Sequence, residues 1–74
     1  MAFSEIAGVK GSSLIRMART ATDKLNVYDG APGEYYDLAQ DPAEHHNRIA
    51  DPAARPRIEA LQAAITAWDA ANRR

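Results

Sequence analysis

Apolar and polar residues alternate in two stretches of the first half of the chain, and a helical stripe runs through its last third. Over residues 14–20, Leu-Ile-Arg-Met-Ala-Arg-Thr, a period of two puts Ile15 and Met17 on one face and Arg16 on the other. Residues 24–28 repeat the pattern, with Leu25 and Val27 together and Lys24, Asn26 and Tyr28 opposite. Ala21-Thr22-Asp23 between them is short enough for a hairpin, though without an Asn-Gly or Asp-Gly pair. Asp29-Gly30-Ala31-Pro32-Gly33 predicts a turn, and Glu34-Tyr35-Tyr36-Asp37-Leu38 a third strand with Tyr36 and Leu38 on one face.

Ile58, Leu61, Ile65 and Trp68 follow i, i+3, i+7, i+10 spacing and mark one face of a C-terminal helix rich in alanine. Asp51-Pro52 predicts an N-cap with proline at the first position. Pro56 lies too deep for that helix, so either the helix kinks or residues 51–55 form a separate turn. Asp41-Pro42-Ala43-Glu44 predicts a rigid corner with Glu44 returning a bond to the Asp41 N–H. Phe3, Ile6 and Val9 recur at threes, compatible with a helical turn, but Gly8 and Gly11 argue against a long helix. The expected fold is α+β: a poorly patterned arm over residues 1–12, then a single small domain over 13–74. In that domain a three-stranded antiparallel meander is covered on one face by the C-terminal helix. Leu61 and Trp68 are expected to pack on a face made by Ile15, Met17, Leu25, Val27, Tyr36 and Leu38.

Length and composition narrow the function. With 74 residues, of which 16 are alanine and only 12 are Leu, Ile, Val or Phe, the chain can build one marginal core and no deep pocket of its own. Nine basic residues face ten acidic ones, with no basic cluster beyond Arg73-Arg74, so neither nucleic acid nor a membrane surface is an expected partner. The absence of cysteine removes disulfides, thiol catalysis and cysteine-ligated zinc. No apolar run approaches a spanning helix, and the N-terminus lacks the pattern of a secretory signal. The default expectation is a cytoplasmic chain without a cofactor, or a fragment of something larger.

The order of residues carries a resemblance. Met17-Ala18-Arg19-Thr20, Lys24-Leu25, Gly33-Glu34-Tyr35-Tyr36-Asp37-Leu38, then Asp41-Pro42-Ala43-Glu44 with Asn47, resembles the C-terminal region of the sulfatases, across residues 14–70. That family shows an Arg-Thr hairpin leading into aromatic-Lys-Leu, then Glu-Leu-Tyr-Asp-Leu, Asp-Pro-Gly-Glu, an Asn three residues on, and a closing helix ending near a Trp. Here Asp23 stands in place of the aromatic, Tyr35 of the Leu and Ala43 of the Gly. The family's Cys/Ser-Xaa-Pro-Xaa-Arg motif, source of its formylglycine, is not in these residues, and its metal-binding aspartates have no matching position. The resemblance implies a lid or buttress that packs against a separate catalytic domain.

Candidate chemistry is sparse. His45 and His46 are weak metal candidates with Glu44 or Asp41, because adjacent side chains rarely reach one ion and there is no third histidine. Ser12, Ser13 and Thr20 show no base-adjacent pattern, and Asp37, Asp41 and Glu44 are explained by turns and caps. Arg19 and Lys24 flank the hairpin and form a candidate anion site, against the plainer reading of solvated strand ends. Tyr28 and Tyr35 are expected on the sheet face away from the helix, where their amphipathic rings suit an interface. The sequence therefore points to a non-catalytic structural or accessory module, self-associating or bound to a larger sulfatase-like domain. The alternatives are a small binding module using the outer sheet face, and a piece of a sulfatase whose catalytic residues lie outside this chain.

Overall fold

The computed structural model describes residues 1–6 and 14–72. Its order of elements is β1 (Ala2–Ile6), β2 (Ile15–Arg19), β3 (Asp23–Tyr28), β4 (Ala31–Asp37), a 3-10 turn (Pro52–Ala54) and α1 (Arg55–Asn72). The strands form one antiparallel sheet in the order β1-β2-β3-β4. Four strands replace the expected three. The extra one comes from the presumed arm, where Ala2–Ile6 pairs residue for residue with β2, from Ala2 opposite Arg19 to Ile6 opposite Ile15. Its alternation is disguised because Ile6 stands 60% exposed while Glu5 lies on the helix side, paired to Arg16 at 2.9 Å. Val9, Gly8, Gly11, Ser12 and Ser13 lie outside the described residues.

The two hairpins among the described residues are tighter than their sequences suggest. Between β2 and β3 the Thr20 N–H donates to the Asp23 carbonyl at 2.8 Å, leaving Ala21 and Thr22 as the loop. The Thr20 hydroxyl oxygen accepts from the Thr22 and Asp23 N–H groups at 3.1 and 3.0 Å, so a side chain closes the turn that lacks an Asn-Gly pair. Between β3 and β4 only Asp29 and Gly30 turn, both at positive φ (52° and 84°), as a two-residue hairpin of the primed kind requires. Ala31 and Pro32 already belong to β4. Val27 is opposite Pro32 and Asn26 opposite Glu34, which leaves Gly33 as the extra residue of a bulge. A Cβ there would lie 2.6 Å from the Tyr28 ring, so the bulge needs glycine for space.

Cross-strand register fixes the two faces. Ala18, Leu25 and Tyr35 stand opposite one another and join Val27, Ala54, Ile58, Leu61 and Ile65 in the core, with Phe3 and Ile49 packed against it. Ile58, Leu61 and Ile65 of the helical stripe are buried as their spacing predicts, with Leu61 1% exposed. Each such side chain contributes about 1.5–3 kcal/mol through removal from water. The expectation that Ile15 and Met17 face the helix is overturned. Ala18 and Arg16 take that side, and Arg16 reaches Asp69 of α1 at 3.2 Å. Arginine buries its stem while its head finds a carboxylate, which is how a polar residue came to sit on the covered face. Trp68 does pack on the sheet, but by stacking on Phe3 of β1, with ring centroids 5.2 Å apart.

Pro56 falls in the first turn of α1, and residues 52–54 form a separate turn capped by Asp51, whose carboxylate accepts from the Ala53 N–H at 3.0 Å. Among the described residues no helix is long and apolar enough to cross a membrane.

Candidate functional site

The outer sheet face carries, in register, Met17, Asn26 and Glu34, with Ile15, Tyr28, Lys24 and Tyr36 around them. Glu34 is its polar centre. Its Oε1 accepts from Asn26 Nδ2 at 3.1 Å and from the Tyr28 hydroxyl, and its Oε2 accepts from the Tyr36 hydroxyl at 2.9 Å. Bonds from the Tyr28 phenol, then Asn26 and Tyr36, hold the Glu34 carboxyl below its usual range. The same bonds raise Tyr28 and push Tyr36 up to about 12.

Lys24 Nζ reaches Glu44 Oε1 at 3.0 Å and brings the corner after β4 against this end of the face, where Tyr36 and Leu38 are buried. The corner differs from the expected capping box. Asp41 accepts from the His45 and His46 N–H groups at 3.0 and 2.9 Å, and its own N–H donates to the Asp37 carbonyl at 2.8 Å. With that N–H taken, Glu44, at φ 59°, turns its side chain to Lys24. The two backbone bonds, His45 first, lower the Asp41 carboxyl.

A second polar cluster sits at the helix-side rim. Asp23, 3% exposed, accepts from the Thr20 hydroxyl, from the Tyr35 hydroxyl at 2.8 Å, and from Arg57 Nε and Nη2 of α1 at 2.8 and 3.2 Å. Burial alone would raise this carboxyl, but the bonds from Arg57, Thr20 and Tyr35 outweigh it and keep it below the ordinary value. Burial and then the Asp23 bond push Tyr35 up to about 12.

The sequence-predicted residues do not converge on one site. Tyr35 is a core residue 5% exposed, not an outer-face residue, because Gly33 bulges and shifts the alternation of β4 by one. Tyr28 is on the outer face, with its hydroxyl spent on Glu34. Arg19 and Lys24 stand opposite each other as like charges; Arg19 is exposed and Lys24 is paired with Glu44. His45 and His46 are exposed. Among the described residues no group of three or more His, Asp or Glu is placed to hold a metal ion.

Sequence reasoning missed Asp23, Glu34, Asn47 and Arg57. Thr20 three residues before Asp23 was the one local signal, as a hydroxyl-closed turn. Shallow grooves flank α1, among them a 350 Å³ one lined by Pro32, Ile49, Ile58 and Gln62, and a 230 Å³ one around Arg48, Asp51 and Arg57. In the second, both arginines are engaged, Arg48 with Asp51 at 3.5 Å and Arg57 with Asp23.

The fold and these clusters define a small α+β domain: a four-stranded meander under one helix. No family model, curated protein or solved structure matches the chain.

Proposed function

We propose that the chain is a non-catalytic structural module, resembling a sulfatase C-terminal subdomain, that acts by association with a copy of itself. The observation that carries this reading is how its ionisable groups are used. Asp23 and Glu34 are surrounded by donors from their own fold and held ionised, while Tyr28, Tyr35 and Tyr36 are held neutral. Such groups join strand to strand and sheet to helix, and none of them is poised to exchange a proton near neutrality, as general acid–base chemistry needs. The purified chain should therefore hydrolyse neither an aryl sulfate nor an aryl phosphate. Turnover that is lost on denaturation and absent from a matched blank preparation would overturn the reading.

A second reading is that the chain is part of a sulfatase whose catalytic residues lie outside it. The apolar strip of Ile6, Ile15 and Met17 on the outer face favours this, since a larger domain would cover it. Sequencing upstream in the source DNA tests it: a formylglycine motif in frame supports it, and its absence removes it.

A further inference from the structure

The two edges of the sheet are built differently. Along β4, Pro32 has no N–H to offer. Beyond it the Tyr35 N–H donates to Asn47 Oδ1 at 3.0 Å, Asn47 Nδ2 donates to the Gly33 carbonyl at 3.0 Å, and the Arg48 N–H donates to the Tyr35 carbonyl at 2.8 Å. That edge is closed by the chain itself. At the other edge lies β1, which among the described residues pairs with β2 and with no other strand.

The direction of the β1 backbone follows from the ladder. The Thr20 N–H donates to Asp23 and the Asp29 N–H to Leu14, so the even-numbered residues of β2 bond towards β3 and the odd-numbered ones towards β1. Arg19, Met17 and Ile15 are opposite Ala2, Ser4 and Ile6, so these three bond inward. Phe3 and Glu5 therefore direct their N–H and C=O groups outward.

We propose that β1 pairs with β1 of a second copy, antiparallel about Ser4, to make one continuous eight-stranded sheet. The pairing is self-complementary. Phe3 and Glu5 of one copy exchange backbone hydrogen bonds with Glu5 and Phe3 of the other, so the two Glu5 carboxylates never stand opposite each other. The Ser4 hydroxyls meet on the axis, and exposed Ile6 lies against Ala2 of the other copy. The helix rests mainly on β2, β3 and β4 and meets β1 through Trp68 on the side chain of Phe3, on the covered face of the sheet, whereas the groups that would pair lie along the edge. Closure of the β4 edge stops the assembly at two chains.

This deepens the proposed function by naming how copies associate. Ester turnover would sink the non-catalytic reading without moving the oligomeric state, so the two failures are distinguishable. The test is sedimentation equilibrium across a hundredfold concentration range on the full chain, Glu5→Pro and Glu5→Ala. Proline removes an outward N–H and leaves the β1–β2 ladder intact, while alanine removes only the Arg16 ion pair.

The native chain and Glu5→Ala should shift from 8.1 kDa to twice that mass. Glu5→Pro should weaken pairing about thirtyfold or more, because it loses that hydrogen bond in both halves of the interface. Circular dichroism checks that the variant is folded; if it is not, chemical synthesis with N-methyl Glu5 makes the same deletion. A native chain at 8.1 kDa throughout would overturn the proposal. So would association unaffected by loss of the Glu5 N–H, which would place the contact on the sheet face, or growth beyond two chains.

Discussion

The Tyr35 hydroxyl donates to Asp23 Oδ2 at 2.8 Å across β3 and β4, as diagonal neighbours on the covered face of the sheet. Arg57 reaches the same carboxylate from α1, so one buried acid ties two strands to the helix. Asp23→Ala should destabilise the domain by about 2–3 kcal/mol, less than for a wholly buried pair because the half-exposed Arg57 can rehydrate. For a domain of this size that lowers Tm by on the order of 15 °C. Tyr35→Phe should cost about 1 kcal/mol alone and add little to Asp23→Ala, since both remove one bond. Strict additivity in thermal melts would refute the coupling.

Stability should fall at both ends of the pH scale. Asp23 and Glu34 have folded pKa values below their ordinary 3.8 and 4.5. Their contribution is whole above those ordinary values and is lost as pH falls through the lower folded ones. Tyr35 and Tyr36 are raised from 10.0 to about 12. Between pH 10 and 12 the unfolded chain gives up phenolic protons that the folded chain keeps, so stability drops across that window. Urea midpoints measured against pH should show both limbs, and Tyr35→Phe should flatten the alkaline one. An unchanged alkaline limb in that variant would count against the assignment.

Much of this architecture was legible in the residues, and the failures have physical causes. The stripe of Ile58, Leu61 and Ile65 shows itself because each side chain is apolar and faces the core at helical spacing. β3 shows itself for the same reason at period two, through Leu25 and Val27. β2 misleads because the strongest alternation, Ile15 and Met17, lies on the outer face, while the covered face holds Ala18 and the ion-paired Arg16. Short-range pattern cannot distinguish a covered arginine from a solvated one; the partner, Asp69, is far along the chain. Tyr35 and Tyr36 exchange faces because one inserted residue, Gly33, reverses every side chain after it. Of the candidate site, the alternation of β3 places Lys24, Asn26 and Tyr28 on the outer face, and Glu34 becomes meaningful only once β3 and β4 pair and bring its donors together.

Leu61 is the deepest helical residue of the core, 1% exposed. Leu61→Ala should cost about 2–5 kcal/mol, from lost burial and the cavity it leaves, enough to unfold much of a domain this small. A thermal melt that does not move would contradict the packing described.

Phe3 and Trp68 stack with an interplanar angle of 5°, and this contact holds β1 to the end of α1. Phe3→Ala should expose the tryptophan, shift its fluorescence to the red and cost about 2–4 kcal/mol, at the lower end because both rings are only half-buried. Ser4→Ala, on the opposite face of the same strand, should leave the fluorescence where it is. Emission unchanged in Phe3→Ala would show that β1 is not docked through this pair.

Asn47 makes the closure of the β4 edge testable. Its carbonyl oxygen accepts from the N–H groups of Tyr35 and Ile49, each at 3.0 Å, and its amide donates to the Gly33 carbonyl. A single side chain thus stands in for a missing fifth strand, and it can do so because a carboxamide offers donor and acceptor side by side. Asn47→Ala leaves these backbone groups without protein partners, although water can reach them at an exposed edge, so the cost should be about 1 kcal/mol. The local effect should exceed the global one, with the Tyr35 amide exchanging about tenfold faster while core amides such as Leu25 slow or speed only with overall stability. Asn47→Asp keeps the acceptor and loses the donor, so Tyr35 should stay protected in that variant. Equal exchange at Tyr35 in the native chain and in Asn47→Ala would mean that the bond does not shield the edge. Faster exchange in the aspartate variant too would locate the protection in the Gly33 contact instead.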